Sequence, residues 1–144
     1  SSLSLNMKQL THDLNVTISN DVSVNSGYAV LNGVASSVNL KTGESSGSED
    51  AVTEVRIATN AKGEQEITVP FRLLGLDKSA THTLTIYLSL ADGTSKTIVT
   101  DLSSYLSNFG QTTAPLNIAS GVALSSIMSG VNNWQVVNAG TIKL

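Results

Sequence analysis

The chain contains no cysteine. That removes disulfides, thiolate metal sites and a cysteine nucleophile together, so the fold must rest on its apolar core. Proline occurs twice and tryptophan once in 144 residues, and charged residues make up only 13%. Lys and Arg number 8 against 11 Asp and Glu, a net charge of −3. So few dispersed cations make no basic patch, and nucleic acid is not expected as a partner. No apolar run approaches the roughly 20 residues of a membrane span. Ser1-Ser2-Leu3 offers no basic n-region, no apolar h-region and no initiator Met, so the start reads as that of a mature product or an excised domain.

What the chain does have is Ser, Thr, Val and Leu at alternating positions. From Thr83 to Leu90 the aliphatics Leu84, Ile86, Leu88 and Leu90 fall at every second residue, with Thr85, Tyr87 and Ser89 between them. A period of two is the strand period, so this stretch has one dry face and one wet face. Asp92-Gly93 follows, the dipeptide best suited to a tight type I′ turn. Lys96, Ile98 and Thr100 alternate with Ser95, Thr97 and Val99 on the return, and the whole reads as a β-hairpin. The dry face is expected to meet Leu14, Val16, Ile18, Val69 and Phe71 in one core.

The remaining segments fit around that hairpin. Leu3, Leu5 and Met7 alternate on a first strand, and Leu14, Val16 and Ile18 alternate in the opposite phase, so a bulge or sheet switch is expected near Leu10–Asp13. Asn25-Ser26-Gly27 reads as a turn before a strand over Tyr28–Val34. Glu44–Asp50 has no apolar residue and reads as a mobile loop. Val55 and Ile57 lead into Asn60-Ala61-Lys62-Gly63, a hairpin connection answered by Ile67, Val69, Phe71 and Leu73. Pro70 lacks a donor, which calls for an edge strand or an outward-facing position. Leu102 with Leu106, and Tyr105 with Phe109, are spaced four apart between Asp101 and Gly110, which predicts one short helix of about two turns. Pro115–Ala123, Val131–Val137 and Thr141–Leu144 supply the last strands. The pattern is that of an all-β protein, an antiparallel β-sandwich with one short helix in a single domain over 1–144, with a closed barrel as the alternative.

No arrangement of catalytic residues emerges. His12 and His82 are the only histidines, and His12-Asp13 would point to opposite faces of a strand, so neither reads as a metal ligand. No Gly-x-Ser-x-Gly elbow, phosphate-cradling glycine loop or His-Glu-x-x-His is present. Asp77, Asp92 and Asp101 sit where turns or caps would use their carboxylates. Neither an enzyme activity nor a cofactor is expected. Trp134 alternates in phase with Val136 and reads as core, its sugar-stacking role being the weaker reading. The three tyrosines look too dispersed to form an aromatic strip.

Several segments in series resemble a known family. Met7-Lys8-Gln9-Leu10-Thr11 with Asp13-Leu14-Asn15-Val16-Thr17-Ile18 is similar to the opening strand of Bacteroidetes fimbrillin-type domains. Leu31–Glu44, Phe71-Arg72-Leu73-Leu74-Gly75-Leu76, the Leu84–Leu102 hairpin and Asn133–Gly140 follow in similar order and spacing to the FimB/Mfa2 and fimbrillin-like families. The resemblance implies a transthyretin-like, Greek-key β-sandwich on an extracellular surface protein. Its partners would be other fimbrial subunits, with a host or glycan ligand as a further expectation. Outer-membrane attachment would run only through a lipid anchor that this chain lacks. The expected role is a non-catalytic fimbrial subunit, anchor or adhesion module joined by β-strand addition, with Leu3, Leu5 and Met7 on a displaceable end strand. The alternative is a carbohydrate-binding module of a surface lipoprotein.

Overall fold

A computed structural model describes residues 11–20, 23–42, 44–59, 61–110, 114–120 and 136–140. The strands are β1 (His12–Asn20), β2 (Val24–Val34), β3 (Ser37–Val38), β4 (Ser45–Ser46), β5 (Glu49–Glu54), β6 (Arg56–Thr59), β7 (Gln65–Leu73), β8 (Thr83–Leu90), β9 (Ser95–Asp101), β10 (Leu116–Ser120) and β11 (Val136–Gly140). They form a sheet of order β11-β10-β1-β7-β6, a second of order β5-β2-β8-β9, and a small β3-β4 ribbon.

Alternation explains why the two large sheets face each other. On β1 and β7 the inward residues are Leu14, Val16, Ile18, Ile67, Val69, Phe71 and Leu73; on β2, β8 and β9 they are Ala29, Leu31, Leu84, Ile86, Leu88, Leu90 and Ile98. All belong to one buried cluster. Each sheet has one apolar face, and pressing the two together removes both from water, so the all-β sandwich is the outcome that period-two patterning dictates. The expected core across β1, β7 and β8 is present residue for residue.

One side of the sandwich is closed by a strand that changes sheets. β5 lies in the four-stranded sheet and β6 in the five-stranded one, with Val55 alone between them. The Val55 N–H donates to the Gly27 carbonyl at 2.9 Å, which fixes the corner. β6 pairs with β7 only as far as Arg56 opposite Thr68. Pro70 lies two residues further on, where β6 no longer runs beside β7, so the missing donor costs no pairing on that side. β7 is thus interior along its first half and an edge along its second.

Several expectations are corrected. Asn25-Ser26-Gly27 is not a turn but part of β2, where the register against β8 slips between Val24 and Ser26. The slip absorbs the polar residues without ending the strand, as a bulge does. The β8–β9 connection is not type I′, because that turn needs positive φ at Asp92 and only Gly93 has it, at +89°. The Gly93 N–H donates to Leu90 O and the Leu90 N–H to Thr94 O, which is a wider turn followed by a glycine bulge. Glu44–Asp50 is not a free loop. It contains β4 and the start of β5; Asn39 N–H donates to Glu44 O at 2.7 Å, Ser36 N–H to Ser46 O at 3.0 Å, and Ser45 Oγ–H to Leu74 O at 3.2 Å. Backbone pairing holds this segment although it has nothing apolar to bury.

The two-turn helix is absent. Ser103–Tyr105 forms a single 3-10 turn, and the bonds that follow run from residue i+3 to residue i, Leu106 to Ser103 and Phe109 to Leu106. Ten residues rich in Ser and Asn lack the length to offset helix nucleation, and their side chains compete for backbone groups. Leu102 and Leu106 are nonetheless buried, so the four-residue spacing reported burial and not helix. The sandwich is not wholly antiparallel either: β1 and β10 run parallel, with Leu14 opposite Leu116 and Val16 opposite Ile118. Alternation along one strand carries no information about the direction of its neighbour.

Candidate functional site

The outer face of the four-stranded sheet carries the most distinctive surface among the described residues. β2 and β8 are antiparallel with Tyr28 directly opposite Tyr87, and both lie out of phase with the buried set, so both rings stand on the solvent side. They stack with centroids 4.8 Å apart and planes 25° from parallel, and they remain 47% and 39% exposed. Glu54 of β5 lies opposite Tyr28, and Thr97 of β9 lies opposite Tyr87. One row therefore reads Glu54, Tyr28, Tyr87, Thr97 across four strands. In the next row Val52, which is 65% exposed, faces Val30. Two of the three tyrosines are thus brought together: residues 28 and 87 are far apart in sequence, and only the β2–β8 register joins them, while Tyr105 lies in the 3-10 turn Ser103–Tyr105. An open depression of about 490 Å³ adjoins the pair, lined among others by Asn25, Ser26, Glu54, Ser89, Lys96 and Thr97.

The turn carboxylates behave as the sequence suggests. Asp77 accepts Ser79 Oγ–H at 2.7 Å and the Ser79 N–H at 3.0 Å; Asp92 accepts Thr94 Oγ1–H at 2.6 Å and the Thr94 N–H at 2.9 Å; Asp101 accepts the Ser103 N–H at 2.9 Å. These bonds to Ser79, Thr94 and Ser103 hold the three carboxyls below the usual aspartate value, because each stabilises the charged form. The Asp carboxylates therefore fasten turns. Arg72 Nε donates to Asp13 Oδ1 at 3.1 Å on the outer face of the other sheet, an exposed pair of little energetic weight.

The histidines separate. His12 meets Phe109 edge-on, with ring centroids 5.9 Å apart. His82 is not the surface residue its polarity suggests but is buried, with Nδ1 3.4 Å from Asn32 O. Its N–H donates to Ser103 Oγ and its carbonyl accepts from the Leu102 N–H, so the backbone at His82 ties the start of β8 to the 3-10 turn. Among the described residues no three His, Asp or Glu side chains gather where they could hold a metal, and no helix is long and apolar enough to cross a membrane. Leu3, Leu5, Met7 and Trp134 lie outside the described residues.

Both large sheets also present edges. β9 bounds the four-stranded sheet on the side away from the β5–β6 corner and pairs, among the described residues, only with β8. β1 is held on both sides, by β10 and by β7.

Comparison with known proteins bears on the fold and the family. A crystal structure of a candidate adhesin from Bacteroides ovatus matches with a TM-score of 0.54 at 8% sequence identity, over 84% of this chain and 48% of that one. That likeness is one of fold, and the chain spans about half the length of the structure it matches. No curated protein sequence matches. The family described as fimbrillin-A associated anchor proteins Mfa1 and Mfa2 matches over residues 1–140. With nearly the whole sequence covered and an all-β sandwich beneath it, the chain belongs to that family of fimbrial anchor proteins.

Proposed function

We propose that the chain is a non-catalytic module of a cell-surface fimbrium, a subunit or anchor with an adhesive role, which joins its neighbours by β-strand addition. Membership of the fimbrial anchor family supports the setting, and with it an extracellular location and other fimbrial subunits as partners. Residues 1–144 act as one sandwich domain in this reading.

The observation that carries strand addition is the accounting of edges. Both flanks of β1 are occupied, so the segment before it has no place beside β1 in the same sheet. The strand-addition reading therefore needs an edge other than those of β1, and β9 offers a long regular one, seven residues with an unpaired outer side among the described strands. An end strand fixed by one row of backbone bonds and the apolar anchors Leu3, Leu5 and Met7 detaches without dismantling the rest. The row it leaves open pairs with the corresponding strand of another chain.

The test removes and restores that segment. A chain beginning at Thr11 should self-associate or lose stability, and an added Leu3–Leu10 peptide should reverse either effect. Because the protein has no cysteine, a peptide with Asn6→Cys, out of phase with the apolar anchors, and a shortened chain with Thr97→Cys on the outer face report the docking edge directly through a mixed disulfide. A shortened chain that stays monomeric, equally stable and without affinity for the peptide refutes strand addition.

A further inference from the structure

We infer that the Tyr28–Tyr87 pair and the depression beside it form a binding site for a neutral oligosaccharide, one whose pyranose rings present a continuous C–H face. The site lies on a sheet face, not on an edge, so it stands independently of how subunits join.

Its chemistry is that of a sugar platform. Each tyrosine gives one ring face to the other at 4.8 Å, and the rings remain 47% and 39% exposed, flanked in their row by Glu54 of β5 and Thr97 of β9. An aromatic face is electron-rich, and the axial C–H bonds of glucose or galactose carry small positive charge, so the two stack flat. Hydroxyls at the sugar's rim require donors and acceptors in the plane around the rings. Asn25, Glu54, Ser89 and Thr97 line the depression and supply both kinds. Apart from Glu54 and Lys96 that lining is uncharged, which suits a neutral sugar better than an anionic one.

The local backbone is shaped for this surface. The β2 register slips between Val24 and Ser26, beside the tyrosines, and such bulges re-aim side chains at the rim of sheets. Gly27 then lets β2 approach β8 closely, since a Cβ there would meet Tyr87 O at 2.6 Å. That approach is what places two rings on neighbouring strands within stacking distance. Exposure is the further point: a ring pair serving only the sheet gains from being covered, yet these two are the aromatics most open to water among the described residues.

The test is a titration of the full chain with cellohexaose and, separately, with a β-1,4-galactotetraose, read by NMR of the tyrosine ring resonances. Saturable shifts at Tyr28 and Tyr87, with a Kd of roughly millimolar order, are expected from at least one probe. Replacing both rings by leucine (Tyr28→Leu with Tyr87→Leu) keeps apolar strand residues but removes the π faces, and should weaken binding by about tenfold or more. Phenylalanine at both positions keeps the stack and should change Kd by no more than about threefold. Val52→Thr, on the same face but one row away, should leave Kd unchanged. Absence of any saturable shift with both probes overturns the inference. So does binding that survives the leucine pair in a folded chain, or a face that answers to neither sugar but drives self-association of the protein.

Discussion

Gly27 offers a sharp test of how the two central strands pack. It stands opposite Leu88 in the β2–β8 ladder. A Cβ built there would lie 2.6 Å from the Tyr87 carbonyl oxygen and 2.7 Å from Leu88 Cδ2. Both are far inside the roughly 3.5–4.0 Å of favourable contact. Leu88 is 2% exposed, so its side chain gives way only by displacing packed neighbours. The Tyr87 carbonyl belongs to the backbone and gives way only if the strands part. Strand separation would also pull on Val55, whose N–H bonds to Gly27 O at the corner. Gly27→Ala is therefore an overpacking substitution, worth about 1–3 kcal/mol of destabilisation. At roughly 2–4 °C per kcal/mol for a chain near this size, the melting temperature should fall by about 2–12 °C.

The sign of that prediction opposes simple propensity. An unhindered Gly→Ala in a strand should stabilise by about 0.5–1 kcal/mol, because alanine has less freedom to lose. Gly63 makes the control: nothing lies within 4 Å of its Cβ position, but its φ is +82°. Gly63→Ala should cost about 1–2 kcal/mol through backbone strain alone, and Gly63→Asn less, since asparagine tolerates that region. At position 27 the order reverses, and asparagine should cost more than alanine because it is larger. Urea denaturation followed by circular dichroism measures all four. A Gly27→Ala protein as stable as the parent, or more so, refutes the close-approach argument.

Other expectations follow from the same geometry. Leu88→Ala empties a buried site between the sheets and should cost about 2–5 kcal/mol, read as a lowered urea midpoint; an unchanged midpoint would remove Leu88 from the core. Replacing Glu44–Asp50 by a short Gly-Ser linker removes the bonds to Ser36, Asn39 and Leu74 and should cost about 1.5–4.5 kcal/mol at roughly 0.5–1.5 each, so a melting temperature that does not move would show the segment to be passive. Hydrogen bonds from Ser79, Thr94 and Ser103 hold the carboxyls of Asp77, Asp92 and Asp101 below the ordinary aspartate value of 3.8 in the folded chain. The stability they supply is thus fully present above the unfolded value and is lost as pH falls through 3.8 and below. Asp92→Asn with Asp101→Asn should flatten the acid limb of stability between about pH 5 and 2, and an unaltered limb would show that these bonds carry no linkage.

The core was legible in the sequence because alternation is a local signal. Leu84, Ile86, Leu88 and Leu90 declare a buried face without reference to any partner, and so do Leu14, Val16 and Ile18. What escaped was non-local or conditional. The stacking of Tyr28 on Tyr87 depends on a register between strands that start nearly sixty residues apart. A clue lay in each tyrosine's position out of phase with its strand's aliphatics. The parallel pairing of β1 with β10 had no signal at all. Asn25-Ser26-Gly27 and Asp92-Gly93 show the other failure: turn-forming residues describe what the backbone tolerates, and strand pairing decides which option is used. At Leu102–Leu106 a spacing of four marked two buried contacts, and helical continuation had to be tested against the serines between them.

The treatment of edges separates the sites where a second chain could add a strand from those where it could not. On one side a single run, bent at Val55, bounds both large sheets as β5 and β6. Where β6 leaves β7 uncovered, Pro70 interrupts the row of donors, and Arg72 with Asp13 places charge next to it. Those are recognised ways of blunting an edge against addition. Among the described residues, β9 has no such guard over its centre. Thr97-Ile98-Val99-Thr100 is an uncharged run of β-branched residues without proline or glycine, fully in register with β8, and its charges, Lys96 and Asp101, stand only at the ends. Under the proposed strand addition, that run is where a second chain would pair. Charge at the two ends would then select which segment pairs and in which direction, since a donor strand with opposite charges at matching ends docks favourably in only one sense.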